Sequence, residues 1–586
     1  MMTPTAAPGR TFNRRLLLIP LAALISVMPL MHYGCSCGHD FDFHFLSWME
    51  AAQQFSHGNL HPHWAFTPAF NAGEPRFVFY PPLSWYVGAL LGLLLTHLPG
   101  LKEATAWSAT PILFTWIALT LSGLTLYRLA RTYANPNAAL LAAILYLANP
   151  YMLFTAYERT AYAELLATAW IPLLFHAVLR DRITIPAIAL PVALLWLTNA
   201  PAAVMGCYSL ALLALVRIVS STRTGPTLAV TSEASARRHV AIQDSVKIFG
   251  GTAIGIALAA FYIIPAAYER RYVQIAMATI SGMRVDQNFL FEHTGSSLDA
   301  LLHDQVLNTA SWIAVILLTT TAIALAANVL LHRTKSAAST FPATSLAVLT
   351  IGIAFLLTPP SLPIWNHAPQ STFLQFPWRL LAILATVLAI ATAAALSRLT
   401  FNFIATVLAS ILFAIVVSHA AYRLFRQPCD PEDTAPARLA LFHSNAGTDP
   451  TDEYTPNAAD NDALAGNEPP DWLAASPTDP PPEASIRGSA PMHLTVTAPR
   501  AEYLVLNLRD YPAWLLSLNN KPDPIRPPRP DGLIAVAVPA GNSTIDIRYA
   551  YTPDQVIGDA VTLLGLALFG FTSAQRNGVA VDLNPR

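Results

Sequence analysis

Charge is what this sequence has least of. Only 12% of its 586 residues are Asp, Glu, Lys or Arg, about half the roughly 25% of an ordinary soluble domain, while 54% are hydrophobic. So few charges cannot cover a water-facing surface at this length, which excludes an array of soluble domains. An excess of either sign is missing too. The 34 basic and 35 acidic side chains nearly cancel, leaving no electrostatic footprint for nucleic acid. Cysteine is scarce: Cys35, Cys37, Cys207 and Cys429 are too few for a disulfide scaffold. The two-residue spacing of Cys35 and Cys37 strains a bond between them, and we assign that pair no role. No internal repeat is visible, which weighs against the related halves of many transporters.

What is present is apolar runs. A helix needs about 20 mostly apolar residues to cross the bilayer. Such stretches begin near Leu16, Trp107, Ala138, Leu165, Ile183, Ala202, Val246, Thr309, Thr340, Pro377, Phe401 and Ile557. They predict a predominantly α-helical polytopic membrane protein of about 12 transmembrane helices. A further apolar segment, 82–98, is decided by the positive-inside rule. Arg10, Arg14 and Arg15 precede the first span, and Arg128 and Arg131 follow the span that starts at Trp107. Both groups face the cytoplasm only if 82–98 lies on, or re-enters, the outer face. With that choice Arg180, Arg182, Arg217, Arg223, Arg237, Arg238, Lys247, Arg333, Lys335, Arg398 and Arg576 also fall inside. The first span lacks a small-residue cleavage pattern before Gly34 and Cys35 and reads as a retained anchor.

Three large segments then face outward: 34–108, 266–308 and 426–555. Residues 1–425 form the multi-span module. Between 428 and 483 there are eleven prolines and twelve acidic residues against one Arg438, so 426–490 reads as an extended linker or irregular loop region. Residues 491–555 change character. His493-Leu-Thr-Val-Thr, Tyr503-Leu-Val-Leu-Asn-Leu and Leu533-Ile-Ala-Val-Ala-Val alternate in the strand period, which predicts a small extracytoplasmic β-sandwich. Residues 556–586 are a final span and a cytoplasmic tail.

The densest polar signal follows span one: Gly38-His39-Asp40-Phe41-Asp42-Phe43-His44, with six of sixteen histidines between His32 and His63. An acid at the membrane surface can take a proton from an acceptor hydroxyl or bind a metal. On a helix Asp40 and His44, four apart, share a face suited to a carboxylate–imidazole pair or a shared metal. The plainer reading is that Asp40 caps a surface helix and that His39, His44, His61 and His63 sit at the interface without a ligand. Further outer sites carry charges beside span ends: Glu158-Arg159 with Glu164, Glu269-Arg270, and Gln375-Phe-Pro-Trp378-Arg379. Arginine matches phosphate oxygens bidentately, although each of these can also snorkel to lipid headgroups. Arg379 lies inside its apolar run, where snorkelling is hardest.

Taken together, Gly38-His39-Asp40, Phe43-His44, Asn71, Gly73, Pro75 and Phe79-Tyr80-Pro-Pro-Leu83 resemble the opening of bacterial membrane proteins of the GT-C glycosyltransferase superfamily. The nearest pattern is that of the 6-pyruvoyl-tetrahydropterin synthase-related membrane proteins, akin to the YfhO-like proteins. Arg159 with Ala163-Glu164, Phe261 with Pro265 and Glu269, and Gln375-Phe-Pro-Trp-Arg379 continue it in order. Tyr511-Pro-Ala-Trp514 and Val538-Pro-Ala-Gly541 look like that group's outer β-domain. Nothing in the chain suggests the soluble pterin enzyme or its zinc site.

The resemblance implies a GT-C-like fold with interfacial helices in the first outer loop. It also implies sugar transfer from a polyprenyl-phosphate donor to a glycan, lipid or protein acceptor on the outer face of a bacterial inner membrane. It implies Asp40 as catalytic base with Asp42 as alternate, His44 orienting the acid or acceptor, and Arg379, Arg159 and Arg270 holding the donor phosphate. His39, Tyr80 and Trp378 would support them, and Glu158, Glu164 and Glu269 would pair with the arginines. Some members use a divalent metal, magnesium or manganese, which here would sit at Asp40 and His44. The competing functions are a transporter or flippase of lipid-linked saccharides, which calls for charges near mid-membrane, and a non-catalytic scaffold for envelope glycan assembly.

Overall fold

The computed structural model describes residues 14–222, 231–332, 341–483, 486–522 and 525–581. Arg10, Arg223, Arg333 and Lys335 lie outside the described residues, as do the side chains of Arg237, Arg238 and Arg576. Among the described residues nine helices are long and apolar enough to cross a membrane. They are Arg14–Tyr33, Glu103–Ala130, Pro136–Tyr157, Tyr162–Leu179, Ala200–Ser220, Leu298–Leu330, Pro377–Leu396, Phe403–Phe425 and Pro553–Gln575. Each covers a stretch read from the sequence as a span, and the protein is a multi-pass membrane protein.

Two more of the expected spans are bent, by 73° between His239–Leu258 and Ala260–Tyr272 and by 99° between Ala343–Leu356 and Pro359–His367. The second bend falls at Pro359-Pro360, which cannot continue a helix and push Thr358 into an extended conformation. The first has no proline at its break. There the last helix comes in backbone to backbone: a Cβ on Gly558 would lie 2.8 Å from the Ala260 carbonyl oxygen. The Phe261 amide freed by the break donates to the Thr562 hydroxyl at 2.8 Å, as a bent helix in an apolar setting requires. The twelfth expected span begins near Ile183 and forms only Ile185–Thr198, 14 residues, or about 21 Å of helix at 1.5 Å per residue. Segment 82–98 forms Pro82–Thr96, 15 residues, also shorter than the spans. Gly88 and Gly92 let this helix press on the rings of Trp48 and Trp107.

The two ends of the spans segregate. At one end Arg15 donates to Asn137 at 3.2 Å, Asn135 to the Ser397 carbonyl at 3.0 Å, and Arg217 pairs with Asp244 at 2.9 Å. At the other lie the first outer loop, the start of helix Leu381–Leu396 and the whole of 426–552.

That end holds seven strands: β1 (Asp471–Ala474), β2 (His493–Ala498), β3 (Glu502–Arg509), β4 (Trp514–Leu518), β5 (Lys521–Pro522), β6 (Leu533–Val538) and β7 (Gly541–Tyr549). They form two antiparallel sheets, β1-β3-β6 and β2-β7-β4-β5. Leu504, Leu506, Ile534 and Val536 of one sheet share an apolar cluster with Leu494, Leu516, Ile545 and Ile547 of the other. Trp64 of the first outer loop enters the same cluster, and the Arg509 amide donates to the Ala72 carbonyl at 3.0 Å. Region 426–490, expected as an extended linker or irregular loop region, contains helix Ala435–His443 and strand β1. Thr434 caps that helix, and Pro436 sits in its first turn, where a missing N–H breaks no bond. A disulfide joins Cys37 to Cys429 across 392 residues, a partner the local Cys35-x-Cys37 spacing does not reveal.

Candidate active site

The site begins where two backbones touch. Gly38 packs on the chain at Glu158, and a Cβ there would lie 2.1 Å from the Glu158 carbonyl oxygen. The Asp40 amide donates to the Arg159 carbonyl at 3.0 Å, and the Ser36 hydroxyl to the Tyr157 carbonyl at 2.5 Å. Thr160 takes a left-handed φ of 49°, turning the chain sharply between spans Pro136–Tyr157 and Tyr162–Leu179. A residue other than glycine rarely adopts that conformation without surrounding structure to hold it. Its effect here is to aim Arg159 inward beneath Asp40.

Four charges meet there. Arg159 Nη1 bonds Glu164 Oε2 at 2.6 Å, while its Nη2 stands 4.0 Å from Asp40 Oδ2. Arg379 Nε lies 3.3 Å from the same Glu164 oxygen. Tyr151 donates its hydroxyl to Glu164 Oε1 at 2.5 Å. Arg379 Nη1 donates to the Leu374 carbonyl at 2.8 Å and to Gln375 Oε1 at 3.2 Å. Arg159 rests over the Trp378 ring at 4.8 Å, and Arg379 over Phe376 at the same distance, contacts that favour a cation with little water around it. Glu164, Arg159 and Arg379 are 2%, 6% and 9% exposed. Two carboxylates thus balance two guanidinium groups, which is what makes their burial tolerable. Asp40, with 30% of its side chain exposed, is the open member. Among the described residues neither Arg159 Nη2 nor Arg379 Nη2 has a hydrogen-bond acceptor within reach, so both present donors to an incoming anion.

Burial pushes the Asp40 carboxyl up, but the His39 hydrogen bond and the Arg159 charge outweigh it and hold the group below the usual carboxylate range. His39 Nδ1 is 2.7 Å from Asp40 Oδ1, and that bond raises the His39 pKa in turn. Asp40 precedes helix Phe41–Ser56 in the N-cap position but makes no side-chain cap bond. Its carboxylate is spent on His39 and Arg159.

The expected Asp40–His44 side-chain pair is not formed. The helix starts after Asp40, so its carboxylate leaves the helical face on which His44 sits. His44 turns into a nest of Tyr80, Trp48 and Tyr162, with Nε2 3.4 Å from the Tyr80 hydroxyl. Burial holds its imidazole down at about 4, so it is neutral at neutral pH. Asp42 faces away from Asp40 and pairs with Arg438, Nε to Oδ1 at 2.9 Å, which fastens region 426–490 to the first outer loop. Of the three glutamates expected to pair with arginine, only Glu164 does. Glu158 accepts from Gln427 Nε2 at 2.6 Å. Glu269 is buried at the foot of the β-strands, where it accepts from Tyr511, from Thr552 at 3.1 Å and from Gln555 at 3.0 Å.

A divalent metal does not fit these side chains. Among the described residues no three His, Cys, Asp or Glu groups converge to hold one. Asp40 already has an imidazole on one oxygen and a guanidinium facing the other, and that cation repels a metal. His61 and His63 stack on each other, ring centroids 4.4 Å apart, beside Phe261, Tyr549 and Tyr551.

Beside the four charges opens a cavity of about 420 Å³. Its apolar wall comes from Trp196, Pro201, Val204, Ile263 and Ala267, and its polar groups include Arg270, Gln370, Gln375 and Glu453. Arg270, third of the expected phosphate ligands, therefore lies in the cavity and not in the charge cluster. The two spaces share walls. Gln375 lines the cavity and bonds Arg379; Phe79 lines it and precedes Tyr80. Gln375 itself has a φ of 60°, with its side-chain amide held by the Ala278 carbonyl at 2.6 Å. Glu453 and Tyr454, which the sequence did not mark, reach the cavity from an outer segment more than 70 residues beyond Arg379.

No family model matches the sequence, and no curated protein matches it. Among solved structures the chain is similar to the arabinofuranosyltransferase AftD from Mycobacteria, with 17% identity and a TM-score of 0.40 over 71% of this chain and 27% of that one. It is also similar to the oligosaccharyltransferase of Archaeoglobus fulgidus, with 15% identity and a TM-score of 0.40 over 71% of this chain and 57% of that one. A third similarity is to ArnT from Cupriavidus metallidurans bound to undecaprenyl phosphate, with 12% identity and a TM-score of 0.28 over 74% of this chain and 89% of that one. The chain thus spans only about a quarter of the first and little more than half of the second. The narrower YfhO-like group is not singled out by these similarities.

Proposed function

We propose that this protein is a membrane glycosyltransferase that moves a sugar from a polyprenyl-phosphate donor to an acceptor on the outer face of a bacterial inner membrane. The observation that carries the reading is the placement of Asp40. A half-buried carboxylate stands over two buried guanidinium groups with free donors, beside an apolar cavity. An isoprenoid chain suits the cavity wall, and its phosphate suits Arg379 and Arg159, with Arg270 further along the cavity. Residues 1–425 would supply the chemistry, and 426–490 and 491–555 would cover it from outside. The Cys37–Cys429 disulfide supports an oxidising outer face for these segments, and hence a cytoplasmic N-terminus.

In the reaction the acceptor oxygen forms a bond to the anomeric carbon as the bond from that carbon to the phosphate oxygen breaks. The departing phosphate keeps the electron pair and stays on the arginines, and Asp40 takes the acceptor's proton. In the resting protein Asp40 is a weak base, because His39 and Arg159 both stabilise its charge. A bound phosphate redirects the arginine charge to itself, so Asp40 gains basicity only when donor is present.

The test is sugar transfer by purified protein in lipid nanodiscs with a panel of polyprenyl-phosphate sugars, wild type beside Asp40→Asn and Arg379→Ala. The expected result is turnover by wild type, a loss of about 10²-fold or more in Asp40→Asn with thermal stability unchanged, and weaker donor binding in Arg379→Ala. Donor binding without turnover by wild type would remove the enzyme reading in favour of a transporter or scaffold.

A further inference from the structure

The outer segment reaches the cavity at two adjacent residues. Asp452–Tyr454 forms a short 3-10 turn, and its Glu453 and Tyr454 line the cavity wall opposite the membrane helices. The turn is held on both sides. The Gln274 amide donates to the Thr455 carbonyl at 2.9 Å, the Asn457 amide to the Tyr272 carbonyl at 3.0 Å, and Gln274 Nε2 to the Ala459 carbonyl at 2.6 Å. Tyr454 stacks on Phe79 with ring centroids 5.5 Å apart, and lies 6.4 Å from Phe43, one helical turn beyond Asp40. Glu453 is therefore a fixed group and not a solvated side chain that happens to pass the cavity mouth.

Inside the protein its carboxylate takes one local hydrogen bond, from its own backbone amide. Among the described residues it forms no hydrogen bond to another side chain and no ion pair, although it is half-buried. Arg270 lines the same cavity and likewise has no partner among the described residues. Two opposite charges share one cavity without pairing with each other. Burial pushes the Glu453 carboxyl above its ordinary range; its own backbone amide and the more distant Arg76 pull it back only in part, and Glu74 nearby adds to the rise. A carboxylate has about four acceptor positions, and in a cavity largely shielded from water each unfilled one is a loss that a donor-rich ligand recovers.

Resting on the reading of the cavity as a lipid-phosphate donor site, we infer that Glu453 grips the sugar of the donor, accepting hydrogen bonds from neighbouring hydroxyls of a neutral glycosyl group. The geometry gives each part of the donor its own surface. The isoprenoid runs along Trp196, Val204 and Ile263, the phosphate meets the arginines, and the sugar lies between Glu453 and the Asp40 carboxylate. The outer segment would thus choose the sugar while the membrane body holds the lipid. A diol bonded to a carboxylate is worth about 10- to 100-fold in affinity, from one or two hydrogen bonds to a charged group.

The experiment compares binding of undecaprenyl phosphate with binding of the same lipid phosphate carrying glucose, mannose or arabinose, using the full chain in nanodiscs. Wild type should bind at least one glycosylated lipid about 10-fold or more tighter than the bare lipid phosphate. Glu453→Ala should erase that ratio and leave bare lipid binding unchanged, and Glu453→Gln, which keeps one acceptor oxygen, should retain part of it. Equal weakening of bare and glycosylated lipid in Glu453→Ala would mean a structural role and overturn the inference. A wild-type ratio near one with every sugar would overturn it too, while the lipid-phosphate reading stands. Failure of wild type to bind bare undecaprenyl phosphate would overturn both.

Discussion

At the scale of single residues, the site is a contest between burial and charge balance. Glu164 serves two arginines at once, so Glu164→Gln would leave two buried guanidinium groups sharing the single negative charge of Asp40, 4.0 Å from Arg159. Breaking a buried pair this way costs about 3–5 kcal/mol, and the expected outcome is a clear fall in the thermal unfolding midpoint of the purified protein. An unchanged midpoint would mean that water reaches the cluster freely. Asp40 gives a prediction of different kind. Its depressed pKa means that the ionised form is held from neutral pH down through the ordinary carboxylate range, and is lost only as pH falls below it. The acid limb of kcat/KM should therefore lie below the usual carboxylate range in wild type. His39→Ala removes the largest group opposing burial, so that limb should move to higher pH. A uniform drop in rate with no movement of the limb would show that His39 acts only on local structure. Arg379 stands out in the sequence as a charge inside an apolar run and Asp40 as an acid directly after one, but that Arg159 and Glu164 join them follows only from the fold. Asp42 carries the same local signal, and only the fold reveals that Arg438, some four hundred residues later, takes it. Glu453 lies in a segment rich in acids, where one carboxylate cannot be told from its neighbours by spacing.

At the scale of elements, close backbone approaches decide where side chains end up. Gly38 is one such contact, and Gly38→Ala would drive a methyl group into the Glu158 carbonyl. Neither neighbour is the flexible end of a side chain, so the Gly38–Asp40 turn must shift away from Arg159. The expected result is a loss of turnover larger than the loss of donor affinity, since the base moves and most of the cavity does not. A variant with wild-type kcat would show that the turn yields without disturbing Asp40. The straight spans were legible because about 20 apolar residues in a row admit few other structures. The bends were only half legible. Pro359-Pro360 announces its own break, whereas the break at Ala259 depends on Gly558 and Thr562 of the last helix, some three hundred residues away. The strands of the outer part followed from their alternation, but β1 and helix Ala435–His443 were hidden under a high proline count. Proline in a first helical turn, as at Pro436, is compatible with a helix, so a proline count alone does not separate the two.

At the scale of the whole molecule, the outer segments form a single cover over the open end of the helices. The first outer loop is tied to region 426–490 by the Cys37–Cys429 bond, by Asp42–Arg438 and by Gln427–Glu158, while Trp64 anchors it among the β-strands. Cys37 lies three residues from Asp40, so the covalent tie fixes the loop that carries the proposed base. This arrangement makes the orientation of the chain testable through one thiol. In a variant with Cys35 and Cys207 replaced by serine, Cys37 and Cys429 are the remaining cysteines. In intact cells a membrane-impermeant maleimide should leave the protein unlabelled until a reductant is added, and label it afterwards. Removing the tie by a further Cys37→Ala and Cys429→Ala should lower the unfolding midpoint, since losing a native disulfide typically costs about 2–5 kcal/mol. Donor affinity should fall with it, because the cover carrying Glu453 and Tyr454 would then be held only by non-covalent contacts. Labelling that needs no reductant would mean that the bond does not form in the cell. Labelling only after the cytoplasmic face is opened to the reagent would invert the orientation, and with it the side of the membrane on which Asp40 meets an acceptor.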